Sequence, residues 1–145
     1  EKVKLSTKGR YGLRALVDLA VHSENGTVSI QSIANRQNIS VSYLEQLVGK
    51  MRRAGIVTSI RGAAGGYRLA KPPSTISVGD VLRALEGDLE AVNCPGNDEV
   101  PACEAAPTCV TKYVWKRIND SISQAVDTIM IEELVQESKK LNGKE

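Results

Sequence analysis

Ser40-Val41-Ser42-Tyr43-Leu44-Glu45-Gln46-Leu47 and, further on, Ile60-Arg61-Gly62-Ala63-Ala64-Gly65-Gly66-Tyr67 decide the fold. In the first stretch a serine opens a helix, and Leu44, Leu47, Val48 and Met51 recur at helical spacing until Gly55 ends it. Ser40 and Ser42 both qualify as the cap, and Ser42-x-x-Glu45 fits a capping box. The second stretch is flanked by the largely β-branched run Ile56-Val57-Thr58-Ser59-Ile60 and by the alternating Tyr67-Arg68-Leu69-Ala70. Two such runs joined by a glycine-rich turn predict a β-hairpin. Pro72-Pro73 stops its second strand, because proline cannot donate to a ladder.

Upstream, residues 7–23 read as a helix capped by Thr7, with Leu13, Leu16, Leu19 and Ala20 inward. After the turn signal Glu24-Asn25-Gly26, Ser29 caps a short helix that buries Ile30, Ile33 and Ala34. Gln37-Asn38 breaks it, and Ile39 points back to the core. Downstream, Ser77 caps a helix with Val78, Val81, Leu82 and Leu85 inward, closed by Gly87. Helix, helix, turn, helix and hairpin is the order of a winged helix-turn-helix. From about Cys109 a long helix carries the narrow seam Val114, Ile118, Ile122, Ala125 and Ile129. The β-branched patch Thr128-Ile129-Met130-Ile131 kinks or ends it, and residues 132–141 form a last short helix. The expected fold is mainly α with a small β-hairpin wing. Its expected division is a DNA-binding domain at 1–87, a cysteine-bearing loop at 88–108, and a dimerisation helix with tail at 109–145.

The 145 residues carry a net charge of only +2, but unevenly. Residues 1–71 hold twelve Lys/Arg against four Asp/Glu, and residues 72–145 hold seven against thirteen. Between Glu45 and Asp80 no acid interrupts Lys50, Arg52, Arg53, Arg61, Arg68 and Lys71. A basic half of this kind points to a polyanion partner, with an ordinary solvated basic face as the plain alternative. No apolar run exceeds three residues, so neither a membrane span nor a signal-peptide core is expected, and a cytoplasmic location is the default. Glu1 in place of an initiator methionine points to processing or trimming of the first residues. One Trp, four Tyr and no Phe are few for a binder that stacks single-stranded bases. One histidine, His22, and no nucleophile, metalloprotease or nucleotide-loop constellation argue against an enzyme.

A major groove about 12 Å wide admits one helix, whose first residues reach base edges. Ser42, Tyr43, Glu45 and Gln46 alternate with the buried stripe and can face outward. Ser and Gln can read bases, and Glu can accept from a cytosine amino group. Lys50 and Arg53 suit phosphates, and Arg61 on a slim glycine-rich loop suits a narrow minor groove. The plainer alternatives stay open: Ser42 with Glu45 as a capping pair only, and Gly65-Gly66 as a tight turn only.

Those two stretches, with Leu5-Ser6-Thr7-Lys8-Gly9-Arg10-Tyr11, resemble the signatures of the Rrf-type winged-helix transcriptional regulators over nearly the whole chain. The resemblance implies a homodimer built on the long C-terminal helix, with each wing-bearing domain reading half of a near-palindromic double-stranded operator. It also implies that Arg61 enters the minor groove and that Ser40, Ser42, Tyr43 and Gln46 face bases or backbone. Glu45 matches a position that discriminates between site classes in the iron–sulfur branch. The expected interface is Ser40, Ser42, Tyr43, Glu45, Gln46, Lys50, Arg53, Arg61 and the wing glycine Gly65.

Cys94, Cys103 and Cys109 lie within sixteen positions, in and after a proline-bearing stretch. Three close thiolates are soft ligands that suit a metal or an iron–sulfur cluster, and small apolar packing is the alternative. Resemblance to the IscR-like branch implies one [2Fe–2S] cluster on these cysteines. That branch has a histidine as fourth ligand three positions after the third cysteine, where this chain has Lys112. A protonated ammonium has no lone pair to give. Asp98, Glu104, a thiol, water or a residue of the other subunit remain open as the fourth ligand. The expected function is a repressor sensing iron–sulfur or redox status. The alternatives are a CymR-like regulator of cysteine metabolism, acting as a thiol switch or through a partner enzyme, and an iron–sulfur scaffold or electron carrier without DNA binding.

Overall fold

In the computed structural model, which describes residues 6–89 and 110–143, each of the first four helices starts where a serine hydroxyl accepts a backbone N–H. These are α1 (Thr7–His22, cap Ser6), α2 (Ile30–Gln37, cap Ser29), α3 (Val41–Arg53, cap Ser40) and α4 (Val78–Glu86, cap Ser77). Two further helices follow, α5 (Thr111–Thr128) and α6 (Ile131–Asn142). Strands β1 (Val57–Ile60) and β2 (Gly66–Leu69) pair antiparallel from Val57 opposite Leu69 to Ile60 opposite Gly66. The expected fold class, mainly α with a hairpin wing, is what the chain adopts.

One cap assignment is corrected, and one open choice is decided. Ser6 rather than Thr7 caps α1: Ser6 has the extended backbone of a cap, and the Thr7 hydroxyl is engaged by Tyr43 instead. Ser40 rather than Ser42 caps α3, accepting from the Tyr43 N–H at 3.1 Å, so Ser42 and Glu45 form no capping box. Asn38 ends α2 in the left-handed conformation, φ 57°, and turns Ile39 back onto the core.

The apolar stripes meet in one core, in which Leu16, Leu19, Ile33, Leu44, Leu47, Met51, Ile76 and Leu85 are essentially inaccessible. Helix α1 crosses α4 at close range because two of its contact residues are glycines. A Cβ at Gly9 would lie 2.6 Å from Glu86 Oε2, and one at Gly12 would run into the Leu85 side chain. Buried Asp18 on α1 ties down α2. Arg36 Nε and Nη2 donate to its carboxylate at 2.7–3.1 Å, and Gln37 Nε2 donates at 2.9 Å. This bond raises the Arg36 guanidinium above its ordinary value.

The chain forms a second, shorter β contact that the sequence did not announce. Val28 and Tyr67 exchange backbone hydrogen bonds at 2.8 and 2.9 Å, so the α1–α2 loop lies beside β2. Farther along the chain, α5 rests on the core through half-buried Ile122 and Val126, and Arg83 of α4 clasps Asp127 at 2.7 and 3.1 Å. That bond holds the Asp127 carboxyl below the usual carboxylate range. Helix α5 ends at Thr128, within the expected β-branched patch. Ile129 is extended there, and Ile76 and Ile129 carbonyls accept from the N–H groups of Ile131 and Val78 at 2.8 Å. Helix α6 then returns to α1, burying Ile131 and Val135.

Asp18→Ala should cost about 2–3 kcal/mol, the value of several hydrogen bonds to one buried charge. Urea unfolding measures it. A loss under about 0.5 kcal/mol would class the pair with weak surface bridges.

Candidate nucleic-acid interface

The candidate recognition face follows from which residues of α3 the core consumes. Leu44, Leu47, Val48 and Met51 are buried, which leaves Ser42, Glu45 and Gln46 exposed on the opposite side. Ser40 is exposed but its hydroxyl is committed to the helix cap. Tyr43 departs from the outward orientation expected of it. It is half-buried, its ring stands edge-on to Tyr11 at 6.3 Å between centroids, and its hydroxyl shares a hydrogen bond with Thr7 Oγ1 at 3.0 Å. Thr7 is therefore a contributor that the sequence reading missed, having been spent there on a cap. Lys50 is half-buried in the last turn of α3, and Arg52 and Arg53 are exposed beside it.

The wing is fixed to α3 by a tight connection. Ala54, Gly55 and Ile56 donate their N–H groups back to the carbonyls of Lys50, Arg52 and Met51 at 3.0–3.1 Å. Gly55 takes φ +81° there, which favours glycine. Arg61 opens the wing turn and is exposed, while Ala63 and Ala64 form its tip. Gly65 closes the turn by donating to the Gly62 carbonyl at 2.9 Å. A Cβ at Gly65 would collide with the Ile60 and Gly62 carbonyls. Its place in the expected interface is thus explained by the shape of the turn. Thr27 Oγ1 donates to the Ala64 carbonyl at 2.8 Å and braces the tip from the α1–α2 loop.

Electrostatics separate this face from the rest. Acids elsewhere are occupied: Asp18 by Arg36, Asp127 by Arg83, Glu24 by Lys139 and Asp120 by Lys116. Lys50, Arg52, Arg53, Arg61, Arg68 and Lys71 make no ion pair among the described residues, and neither does Glu45. Unpaired cations grouped on α3 and the wing suit phosphate oxygens, whose neutralisation releases counterions.

Cys94, Cys103 and Cys109 lie outside the described residues, as do Asp98 and Glu104. Among the described residues no group of three or more His, Cys, Asp or Glu could hold a metal ion. Lys112 is the second residue of α5 and half-buried. His22 is exposed, with Nδ1 2.9 Å from the Asp18 carbonyl oxygen. No helix among the described residues is long and apolar enough to cross a membrane.

Comparison with known proteins fits this picture. Residues 5–137 match the Rrf2 model, whose description is iron-dependent transcriptional regulator. The HTH-type transcriptional regulator IscR of Aliivibrio salmonicida is 41% identical over 133 residues, covering 92% of this chain and 77% of the relative. IscR of Pectobacterium atrosepticum is 39% identical over 140 residues, 97% and 84% of the two chains. Among solved structures, T. potens IscR aligns with a TM-score of 0.77 at 41% identity, covering 97% and 91%. CymR, the global cysteine regulator of B. subtilis, aligns with a TM-score of 0.75 at 41% identity, covering 92% and 97%. These relatives are named as regulators, not enzymes.

Ser40→Ala should destabilise the chain by about 1 kcal/mol, the cost of a lost N-cap. Ser42→Ala should stay within about 0.5 kcal/mol, as an exposed helix position does. Thermal or urea unfolding of the two variants distinguishes them. The reverse order would restore the Ser42–Glu45 capping box.

Proposed function

The chain belongs to the Rrf2 family of transcriptional regulators, and we propose from that premise a homodimeric, DNA-binding repressor that senses iron–sulfur or redox status. The observation that carries the reading is the group of unpaired cations on α3 and the wing, set beside the exposed polar residues Ser42, Glu45 and Gln46. In this reading Ser42 and Gln46 contact base edges in the major groove. Lys50 and Arg53 grip phosphates, and Arg61 enters the adjacent minor groove on the narrow wing, whose turn Gly65 keeps tight. Tyr43 contributes by orienting the start of α3. Glu45 is a carboxylate without an ion-pair partner among the described residues. It accepts from a cytosine amino group and repels the acceptor edges of other bases, which makes it a source of specificity by exclusion.

The dimer reading is supported by α5. Of the expected seam, Ile122 packs on the core and Ile129 lies past the helix end, but Val114 and Ile118, one turn apart, are 44% and 38% exposed, and a partner's α5 would cover them. A [2Fe–2S] cluster is supported by the donor set, three thiolates in a short stretch, and by the IscR-named relatives. Cys94, Cys103 and Cys109 would hold it, with a fourth ligand other than the Lys112 ammonium. When bound, such a cluster supplies an oxidant-sensitive cross-link among the three thiolates. A second reading, favoured by the likeness to CymR, keeps the DNA face and uses the three thiols as a redox switch without a cluster.

Arg61→Ala should weaken binding most at duplexes with narrow A·T minor grooves, and Glu45→Ala should broaden the set of bound sequences. Both are read by selection from a random-sequence pool. An equal loss on every sequence for Arg61→Ala would reduce that residue to a phosphate contact, and unchanged selectivity for Glu45→Ala would remove its discriminating role. Anaerobically purified protein should show sulfur-to-iron charge-transfer absorption with near-equal iron and sulfide, and Cys103→Ser should abolish it. Colourless, iron-free protein that also resists anaerobic reconstitution would select the thiol-switch reading.

A further inference from the structure

Glu86 ends α4, yet its carboxylate serves the start of α1. It accepts from the Ser6 and Gly9 N–H groups at 2.8 Å and from the Ser6 hydroxyl at 2.9 Å. Those N–H groups belong to the helix turn that has no internal acceptors, and a negative charge there complements the helix dipole. Gly9 makes the room, since a Cβ at that position would sit 2.6 Å from Oε2. Thr7 lies between the two clasped residues. Its hydroxyl meets the Tyr43 hydroxyl at 3.0 Å, and Tyr11, one turn on, presses edge-on against the Tyr43 ring. Tyr43 stands in the first turn of α3, among Ser42, Glu45 and Gln46. The first turn of α1 is therefore held by Glu86 on one side and bears on Tyr43 with the other.

We propose that Glu86 is a positioning residue for the base-reading end of α3, acting through the first turn of α1 and the Thr7–Tyr43 contact. The proposal rests on the assignment of α3 as the recognition helix. Glu86 itself touches no DNA. Without its carboxylate the Ser6 and Gly9 N–H groups lose their acceptor, the turn loosens, and Tyr43 loses a fixed neighbour. The cost falls on specific binding, which needs Ser42, Glu45 and Gln46 held in register. Non-specific binding, which Lys50 and Arg53 supply through phosphates, is little changed.

The test is a double-mutant cycle on the full chain, with the duplex that the wild-type protein selects from a random-sequence pool as probe. Glu86→Ala should weaken that complex on the order of tenfold, within the range of residues that share one hydrogen-bond network. In a Tyr43→Phe background the same change should cost less than about twofold, because the link is already cut. Glu86→Gln, which keeps a side-chain carbonyl to accept from Gly9, should restore part of the affinity. Isotope-labelled tyrosine resonances, recorded without DNA, should show Tyr43 shifting in Glu86→Gln while Tyr113 stays put. Equal losses in both backgrounds, or an unmoved Tyr43 signal in a folded variant, would overturn the proposal and leave Glu86 a helix cap alone. A wild-type chain that selects no duplex would instead sink the DNA-reading assignment, and the tyrosine spectrum would still report on the Glu86–Tyr43 link.

Discussion

Gly9 and Gly12 let α1 lie closer to α4 than any side chain would allow, and the proposed DNA face is built outward from that approach. At this distance Glu86 reaches the backbone of Ser6 and Gly9, which sets the first turn of α1. From that turn Thr7 meets Tyr43 at the tip of α3. About three turns further along α1, Asp18 fastens α2 through Arg36 and Gln37. Both helices of the helix-turn-helix therefore take their position from one face of α1. A side chain larger than hydrogen at residue 12 would push against Leu85 in a close-packed core and strain the bonds that Glu86 makes across the same contact.

Local chemistry was legible in the sequence and distant pairing was not. Apolar stripes at helical spacing located the buried faces of α1 to α4. Asn38 marked the end of α2, Gly55 and Gly87 followed α3 and α4, and Thr128–Ile131 marked the break before α6. The choice between Ser40 and Ser42 was not legible, because both are serines before the same stripe and only backbone conformation separates them. Asp18 and Arg36 are 18 residues apart, and Glu86 and Ser6 are 80 apart, so no periodicity joins either pair. The Val28–Tyr67 bridge leaves even less trace, since a single paired residue carries no alternation. Within the candidate interface, the exposure of Ser42, Glu45 and Gln46 followed from the stripe, and that of Arg61 from its place in the hairpin turn. The inward lean of Tyr43 did not, because it depends on Thr7 and Tyr11.

The division of charge gives the fold its chemical direction. Carboxylates on α1, α4 and α5 are used inside the protein, on Arg36, on the start of α1 and on Arg83. The cations of α3 and the wing are left for solvent or for a ligand. Such a face attracts any duplex, and attraction alone does not choose a sequence. In the proposed reading, choice comes from the few uncharged or acidic groups placed among the cations, Ser42, Gln46 and Glu45, and from how firmly the start of α3 is held.

The most direct measurement is the affinity of the full chain for its selected duplex and for a scrambled duplex of the same length, each followed across a salt series. Sequence-specific reading by α3 and the wing requires both affinities to fall steeply with salt, with the selected duplex tighter by at least roughly a thousandfold. Equal affinities across the series would contradict the account, and would reduce this face to a basic surface that does not read sequence.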